Sequence, residues 1–117
     1  MKLYGIPNCN TVKKARAWLA EHQADVEFHD FKKDGVDEAL LHGWVTQMPW
    51  EKLVNRSGMT WRNLDESAKT VVQDNASAVK LMLGKPSVIK RPVLVENGKI
   101  LALGFDEATY QKILQNS

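Results

Sequence analysis

The chain contains a single cysteine, Cys9, within the segment YGIPNCNTVKK at residues 4–14. The short apolar run Lys2 to Gly5 before it predicts a strand, and the apolar spacing from Val12 to Ala24 predicts a helix after it. Pro7 and the asparagines between these two elements are typical of a turn. The sequence therefore predicts that the thiol lies at the start of a helix.

The polar residues beside Cys9 favour a reactive thiol. Asn8, Asn10 and Thr11 all have side chains that can cap a helix, so its first N–H groups should point toward the sulfur. The helix dipole favours an anion at the same place. We therefore expect the sulfur to meet backbone donors that stabilise a thiolate.

Two lysines, Lys13 and Lys14, follow just inside the predicted helix and add positive charge. Cysteines in such settings have a pKa of roughly 3.5–7.5 in place of about 8.5, and the thiolate is the nucleophilic form. The alternative is an inert cysteine buried in the core, where it acts as a small hydrophobe. The polar neighbours of Cys9 supply no apolar wall, which favours the reactive interpretation.

The composition is that of an ordinary globular domain. With 44% hydrophobic and 26% charged residues, the 117-residue chain fits one domain with one core. Its 16 basic and 14 acidic residues are dispersed, so charge predicts neither direct nucleic-acid binding nor membrane binding. We find no membrane-spanning run and no signal-peptide pattern, and we expect a cytoplasmic monomer.

The metal-ligating residues are too few and too dispersed for a zinc site. One cysteine cannot form an internal disulfide, and His22, His29 and His42 stand singly in the sequence. We therefore expect these histidines to be surface or partly buried residues, and we expect no metal.

The remaining elements place the thiol in an α/β fold. Val26 to Phe31 alternates apolar and polar residues and predicts a second strand, which should pair in parallel with the first. The Cys9 loop then lies at the carboxyl end of the first strand, where open α/β sheets bind ligands. Three or four helices are predicted in the middle of the chain: Val36–Gln47, Pro49–Asn55, and one or two more over Glu66–Val72 and Ala76–Leu83. Trp44, Trp50 and Trp61 are expected to pack these helices.

The last third predicts a hairpin and a final helix. Strands Val93–Glu96 and Lys99–Leu103 flank an Asn97-Gly98 turn, and Asp106 caps a helix to Leu114. Pro92 should stand at the start of its strand and hold Arg91 extended. The order β-α-β, helices, β-β-α predicts one α/β domain over residues 1–117, with a mixed sheet and a helical insertion at about 36–88.

Cys9 on the first β-α loop, Arg91-Pro92 before the third strand, and the helical insertion together resemble the thioredoxin-fold family of arsenate reductases and Spx-type regulators. YGIPNCNTVKKA is most similar to its YffB-like branch, for which a glutathione-dependent thiol reductase role has been proposed. The resemblance implies a thioredoxin-like fold, Cys9 as nucleophile, and a cis Arg91-Pro92 bond that places Arg91 near Cys9. It also implies that Asn10, Thr11, Lys13, Arg56, Arg91 and Pro92 bind substrate.

Two departures from the family direct the choice of function. Leu103, Gly104 and Phe105 stand where arsenate reductases carry a third arginine, and Val12 stands where Spx-type regulators carry a second cysteine. We therefore expect a monothiol, glutathione-dependent thiol-disulfide oxidoreductase. Glutathione would be a co-substrate and glutaredoxin a further partner, with no bound cofactor.

Three alternatives differ from this expectation. The first is an Spx-like regulator that docks on the transcription machinery, and the second is an arsenate reductase. The third is a low-molecular-weight phosphatase, which needs Cys-x5-Arg, but position 15 is Ala and the nearest arginine is Arg16. This last pattern disfavours the phosphatase.

Overall fold

The computed structural model describes residues 1–116, which form two compact units. One comprises residues 1–34 and 91–116, and the other is Gly35–Lys90. The strands are β1 (Lys2–Gly5), β2 (Glu27–Asp30), β3 (Val93–Glu96) and β4 (Lys99–Leu103). The helices are α1 (Asn10–Glu21), α2 (Phe31–Asp34), α3 (Glu38–Gln47), α4 (Trp50–Leu53), α5 (Met59–Arg62), α6 (Glu66–Val71), α7 (Asn75–Gly84) and α8 (Glu107–Gln115), and a 3₁₀ turn spans Pro86–Val88.

The first unit contains a mixed sheet with the strand order β2-β1-β3-β4. β1 pairs in parallel with β2, as the β-α-β pattern predicts, and β3 is antiparallel to both β1 and β4. Asn97 and Gly98 both have positive φ, 51° and 80°, which suits the tight turn that joins β3 to β4. The predicted mixed α/β architecture is confirmed.

The core of this unit joins the sheet to α1 and α8. Its fully or nearly buried members are Leu3, Ala15, Trp18, Leu19, Leu94 and Tyr110. The Trp18 and Tyr110 rings meet edge to face, with centroids 5.9 Å apart. This packing fixes α1, the helix that follows Cys9, against the centre of the sheet.

The second unit, Gly35–Lys90, is helical, and the predicted insertion at 36–88 lies within it. Asp37, Asp65 and Asp74 cap α3, α6 and α7 through their side chains. Trp44 is fully buried, whereas Trp50 and Trp61 are half-buried. The structural role expected for tryptophan is therefore clearest at Trp44.

Some boundaries differ from the predicted ones. α1 begins at Asn10 instead of Val12 and ends at Glu21. The short helices α2 and α5 and the 3₁₀ turn were not predicted, because segments of three or four residues show no helical periodicity. At the start of α2, the Asp30 carboxylate accepts hydrogen bonds from the N–H groups of Lys32 and Lys33. No helix within residues 1–116 is long and apolar enough to cross a membrane.

Candidate active site

Cys9 is itself the N-cap residue of α1. Its backbone is extended (φ −87°, ψ 127°), and its carbonyl oxygen accepts the first helical hydrogen bond from Lys13 N–H at 2.9 Å. The Cys9 N–H donates to the Ile6 carbonyl oxygen at 3.2 Å and so closes the turn that follows β1. The expectation that Asn10 or Thr11 caps the helix is wrong, because both lie within its first turn.

Close packing of α1 on β1 sets the position of this turn. A Cβ atom on Gly5 would lie 2.8 Å from Cγ2 of Val12, which is fully buried. Only glycine leaves room for the helix to approach the strand so closely. Gly5 and Val12 therefore fix where the first turn of α1, and with it the Cys9 loop, lies against the sheet.

The electrostatic surroundings of Cys9 stabilise its thiolate. Partial burial raises the pKa of the thiol, but the Val12 N–H, the Arg91 guanidinium and the Thr11 N–H lower it by more, so the net pKa lies below its ordinary value. The thiol makes no cap hydrogen bond of standard geometry, so these N–H contacts should tighten as the sulfur ionises. The sequence-based expectation of a thiolate at this helix start agrees with this net direction.

The charge that acts on the sulfur is that of Arg91. Arg91 is half-buried and lies two residues before β3, and its bond to the buried Pro92 is cis, as the resemblance implies. Lys13 and Lys14 are exposed on α1. Arg91 therefore supplies the electrostatic contribution that the sequence suggested for the two lysines.

The corner after β4 lies beside Pro92 and carries no cationic side chain. Gly104 N–H donates to the Pro92 carbonyl oxygen at 2.8 Å. The Phe105 ring packs edge-on against Tyr110, with centroids 4.9 Å apart, and contacts Trp18. The residues that replace the third arginine of arsenate reductases thus provide backbone contacts and core packing instead of charge.

Arg56 belongs to the second unit, where it is exposed on the turn between α4 and α5. Its guanidinium lies over the Trp50 ring, 5.7 Å from the centroid. The turn is closed by a hydrogen bond from Gly58 N–H to the Asn55 carbonyl oxygen at 3.2 Å. Trp50 therefore supports an arginine in addition to its packing role.

The sequence-predicted residues of the first unit lie together at one end of the sheet. Cys9, Asn10, Thr11 and Lys13 form the start of α1, and Arg91 reaches the Cys9 sulfur. Within residues 1–116 there is no cluster of three or more His, Cys, Asp or Glu side chains that could hold a metal. His22 and His42 are exposed and His29 is half-buried, as expected.

Sequence reasoning missed the contribution of Gly104 and Tyr110 to this region. The Tyr110 hydroxyl donates to the Gly104 carbonyl oxygen at 3.0 Å. In the sequence, Tyr110 contributes only to the apolar stripe of the last helix, and no local pattern connects it to Cys9. The only sequence signal for a constrained corner here was Gly104, which stands between β4 and the Asp106 cap of α8.

A single thiol at a helix N-terminus, together with an arginine that precedes a cis-proline, is the arrangement of a thioredoxin-like protein. The chain belongs to the ArsC family, whose model matches residues 4–113. The predicted membership and the thioredoxin-like fold are both confirmed.

Several relatives resemble the chain over nearly its full length. The structure of the YffB (PA3664) protein is 45% identical, covers 95% of this chain and 96% of its own, and superposes with a TM-score of 0.88. An arsenate reductase (ArsC) related protein from Brucella melitensis is 47% identical, with coverages of 97% and 93% and a TM-score of 0.76. An uncharacterized protein of Haemophilus influenzae is 45% identical, with coverages of 93% and 94%. The global transcriptional regulator Spx of Streptococcus pyogenes is 25% identical and covers 90% of this chain and 78% of its own.

Proposed function

We propose that this protein is a cytoplasmic, monomeric, glutathione-dependent thiol-disulfide oxidoreductase with Cys9 as its nucleophile. The observation that carries the proposal is the position of Cys9 at the N-cap of α1, where the helix N–H groups and Arg91 act on its thiol. Burial raises the pKa of Cys9, but the Val12 N–H, the Arg91 guanidinium and the Thr11 N–H lower it by more. A larger thiolate fraction at neutral pH is what a thiol needs to attack a disulfide.

In the first step, the Cys9 thiolate attacks the glutathione sulfur of a mixed disulfide, R–S–S–G. A bond forms between Cys9 Sγ and the glutathione sulfur as the original disulfide bond breaks, and R–S⁻ leaves with the electron pair. The leaving thiolate then takes a proton from solvent. The substrate thiol is reduced, and Cys9 is held as a mixed disulfide with glutathione.

The second step requires an external thiol, because the chain has no second cysteine. A glutathione thiolate attacks the glutathione sulfur bound to Cys9, releases oxidised glutathione, and regenerates the Cys9 thiolate. Each turnover thus consumes one glutathione from solution, which leaves as oxidised glutathione joined to the one that R–S–S–G supplied. Glutaredoxin is proposed as a protein thiol that can serve in place of the second glutathione.

Anionic groups of glutathione would bind to the basic and polar residues near the thiol. The guanidinium of Arg91 can pair with a carboxylate through its planar fork of donors. Asn10, Thr11 and Lys13 are exposed on the first turn of α1 and can contact the same substrate. Arg56 is proposed as a further carboxylate-binding residue, because it matches an arginine of the family.

A disulfide substrate is favoured over arsenate by the corner after β4. There Gly104 contacts Pro92 through its backbone, and Phe105 is engaged with Trp18 and Tyr110. A disulfide attack needs only a thiolate and a good leaving group, whereas a bound oxyanion needs several charge-assisted donors to offset its desolvation. Regulation in the manner of Spx is the second candidate, because that relative matches 90% of this chain.

The test is mass spectrometry of the protein after incubation with a glutathionylated peptide. We expect one glutathione on Cys9, stoichiometric release of the reduced peptide, and removal of the adduct by added glutathione. Steady-state rates should give the parallel-line pattern of a ping-pong reaction. Cys9→Ser serves as the matched control, because it retains a small polar side chain at the helix N-cap.

A wild-type protein that forms no adduct would overturn the proposal. If such a protein also captured purified RNA polymerase, the regulatory candidate would replace it. An adduct that glutathione cannot remove would indicate that Cys9 is a site of oxidation and that it does not act as a nucleophile in catalytic turnover. An adduct that both glutathione and glutaredoxin remove is the expected result.

A further inference from the structure

Tyr110 is held at a defined position in the core of the first unit. The side chain is 1% exposed and its ring makes edge-on contacts with Trp18 and Phe105. The hydroxyl donates a 3.0 Å hydrogen bond to the carbonyl oxygen of Gly104. The aromatic contacts fix the ring, and they therefore also fix the point from which the hydroxyl donates.

Gly104 connects Tyr110 by hydrogen bonds to the residues beside the thiol. Its φ of 76° is in the left-handed region that glycine readily adopts, at the corner between β4 and the cap of α8. Its N–H donates to the Pro92 carbonyl oxygen at 2.8 Å, while its carbonyl accepts from Tyr110. The residue before Pro92 is Arg91, whose guanidinium acts on the Cys9 thiol.

We infer that Tyr110 is a positioning residue for the Cys9 thiolate: it holds Gly104, Gly104 holds Pro92, and Pro92 fixes the backbone from which Arg91 reaches the sulfur. Tyr110 touches neither substrate nor the reacting atoms in this arrangement. The inference rests on the proposed function of Cys9 as a reactive thiolate. The inference is tested by measuring the pKa of the Cys9 thiol, and this measurement requires no substrate.

Within residues 1–116, the hydrogen bond of the Tyr110 hydroxyl is the one to Gly104. Burial raises the pKa of Tyr110, so the phenol remains a protonated donor throughout the working pH range. The start of α8 is held separately by the Asp106 carboxylate, which accepts from the Thr109 N–H at 3.1 Å and from its hydroxyl at 2.6 Å. A phenylalanine at position 110 would keep the ring packing and remove only the bond to Gly104.

Such a variant retains every charged residue near Cys9. Lys13 and Lys14 lie on α1, and Arg91 precedes β3, so a substitution on α8 replaces none of them. A changed Cys9 pKa in Tyr110→Phe would therefore report a changed position of the Arg91 guanidinium. This separates a positioning effect from the loss of a charge.

The experiment measures the rate of iodoacetamide alkylation of Cys9 against pH for wild type and Tyr110→Phe. We expect the pKa of Cys9 to rise by several tenths of a unit in the variant, and by less than in Arg91→Ala. The double variant Arg91→Ala/Tyr110→Phe should match Arg91→Ala alone, because the tyrosine acts through the arginine. Ile113→Val, a core change on the same helix, controls for general loosening and should leave the thiol pKa unchanged.

Three outcomes would overturn the inference. The first is a low Cys9 pKa that is equal in wild type and Tyr110→Phe. That result would remove the positioning role of Tyr110 and leave the proposed function standing. The second is an equal rise in Ile113→Val, which would indicate nonspecific loosening. The third is a wild-type pKa at or above about 8.5, which would remove the proposed function as well.

Discussion

The guanidinium of Arg91 lowers the pKa of the Cys9 thiol, although most of the chain separates the two residues. Arg91 lies two residues before β3, and Cys9 is the N-cap residue of α1. Both act from elements that meet at one end of the sheet, because β1 pairs directly with β3. Cys9 therefore combines two sources of anion stabilisation, the helix N–H groups and a neighbouring cation.

Replacing Arg91 with alanine separates these two sources. Arg91→Ala should raise the Cys9 pKa by up to about one unit, since solvent screens part of the charge at this half-exposed site. Lys13→Ala should have a much smaller effect, because this lysine is exposed. The pH dependence of alkylation gives the Cys9 pKa of wild type, of Arg91→Ala and of Lys13→Ala. An equal shift in both variants would show that general positive charge, and not the Arg91 contact, lowers the pKa.

Cys9→Ser should abolish thiol transfer while leaving the fold nearly unchanged. The cysteine is half-buried on a turn and contributes no volume to the core cluster. Turnover of a glutathionylated peptide and urea unfolding measure the two effects. A loss of several kcal/mol, as after a large-to-small change in a core, would instead support an inert structural cysteine.

The ionisation of Cys9 should appear in the pH dependence of stability. The pKa of Cys9 is lower in the folded than in the unfolded protein, because the N–H groups and Arg91 outweigh burial. The thiolate therefore stabilises the folded state fully above the unfolded pKa, and this contribution is lost as the pH falls through the folded pKa. Relative to Cys9→Ser, wild type should gain stability as the pH rises through this window. Urea unfolding of both proteins under reducing conditions measures the difference, and a flat difference would contradict the lowered pKa.

Arsenate should be a poor substrate compared with a glutathione mixed disulfide. The third arginine of arsenate reductases is replaced by a corner in which Phe105 is packed against Tyr110. Coupled assays with glutathione and glutaredoxin compare kcat/KM for the two substrates. Efficient arsenate reduction would mean that another basic residue, such as Lys13, completes an oxyanion site.

The close approach of α1 to β1 predicts a large effect at Gly5. A Cβ atom there would meet Val12 at 2.8 Å, so Gly5→Ala should cost about 1–3 kcal/mol and displace the first turn of α1. Gly43→Ala is the matched control, because Gly43 lies within α3 with no atom within 4 Å of the added Cβ. That change should stabilise by about 0.5–1 kcal/mol through helix propensity. Equal effects of the two variants on stability and on Cys9 alkylation would contradict the packing argument.

The sequence predicted much of the fold because its signals are local. The alternating runs of β2, the Asn97-Gly98 turn and the Asp106 cap each depend on neighbouring residues, and each appears in the structure. Short helices such as α2 and α5 were missed, since a single turn carries no periodicity. The cap of α1 was misassigned because asparagine and threonine outrank cysteine in capping preference.

By itself, the sequence determined that a lone thiol follows a strand and begins a helix, and that no second cysteine can resolve it. The tertiary structure decided which charge meets that thiol. Arg91 reaches Cys9 only because β3 pairs with β1, whereas the nearby lysines remain exposed on α1. The contacts from Tyr110 through Gly104 to Pro92 were likewise hidden, because strand pairing and core packing bring together residues that no local pattern connects.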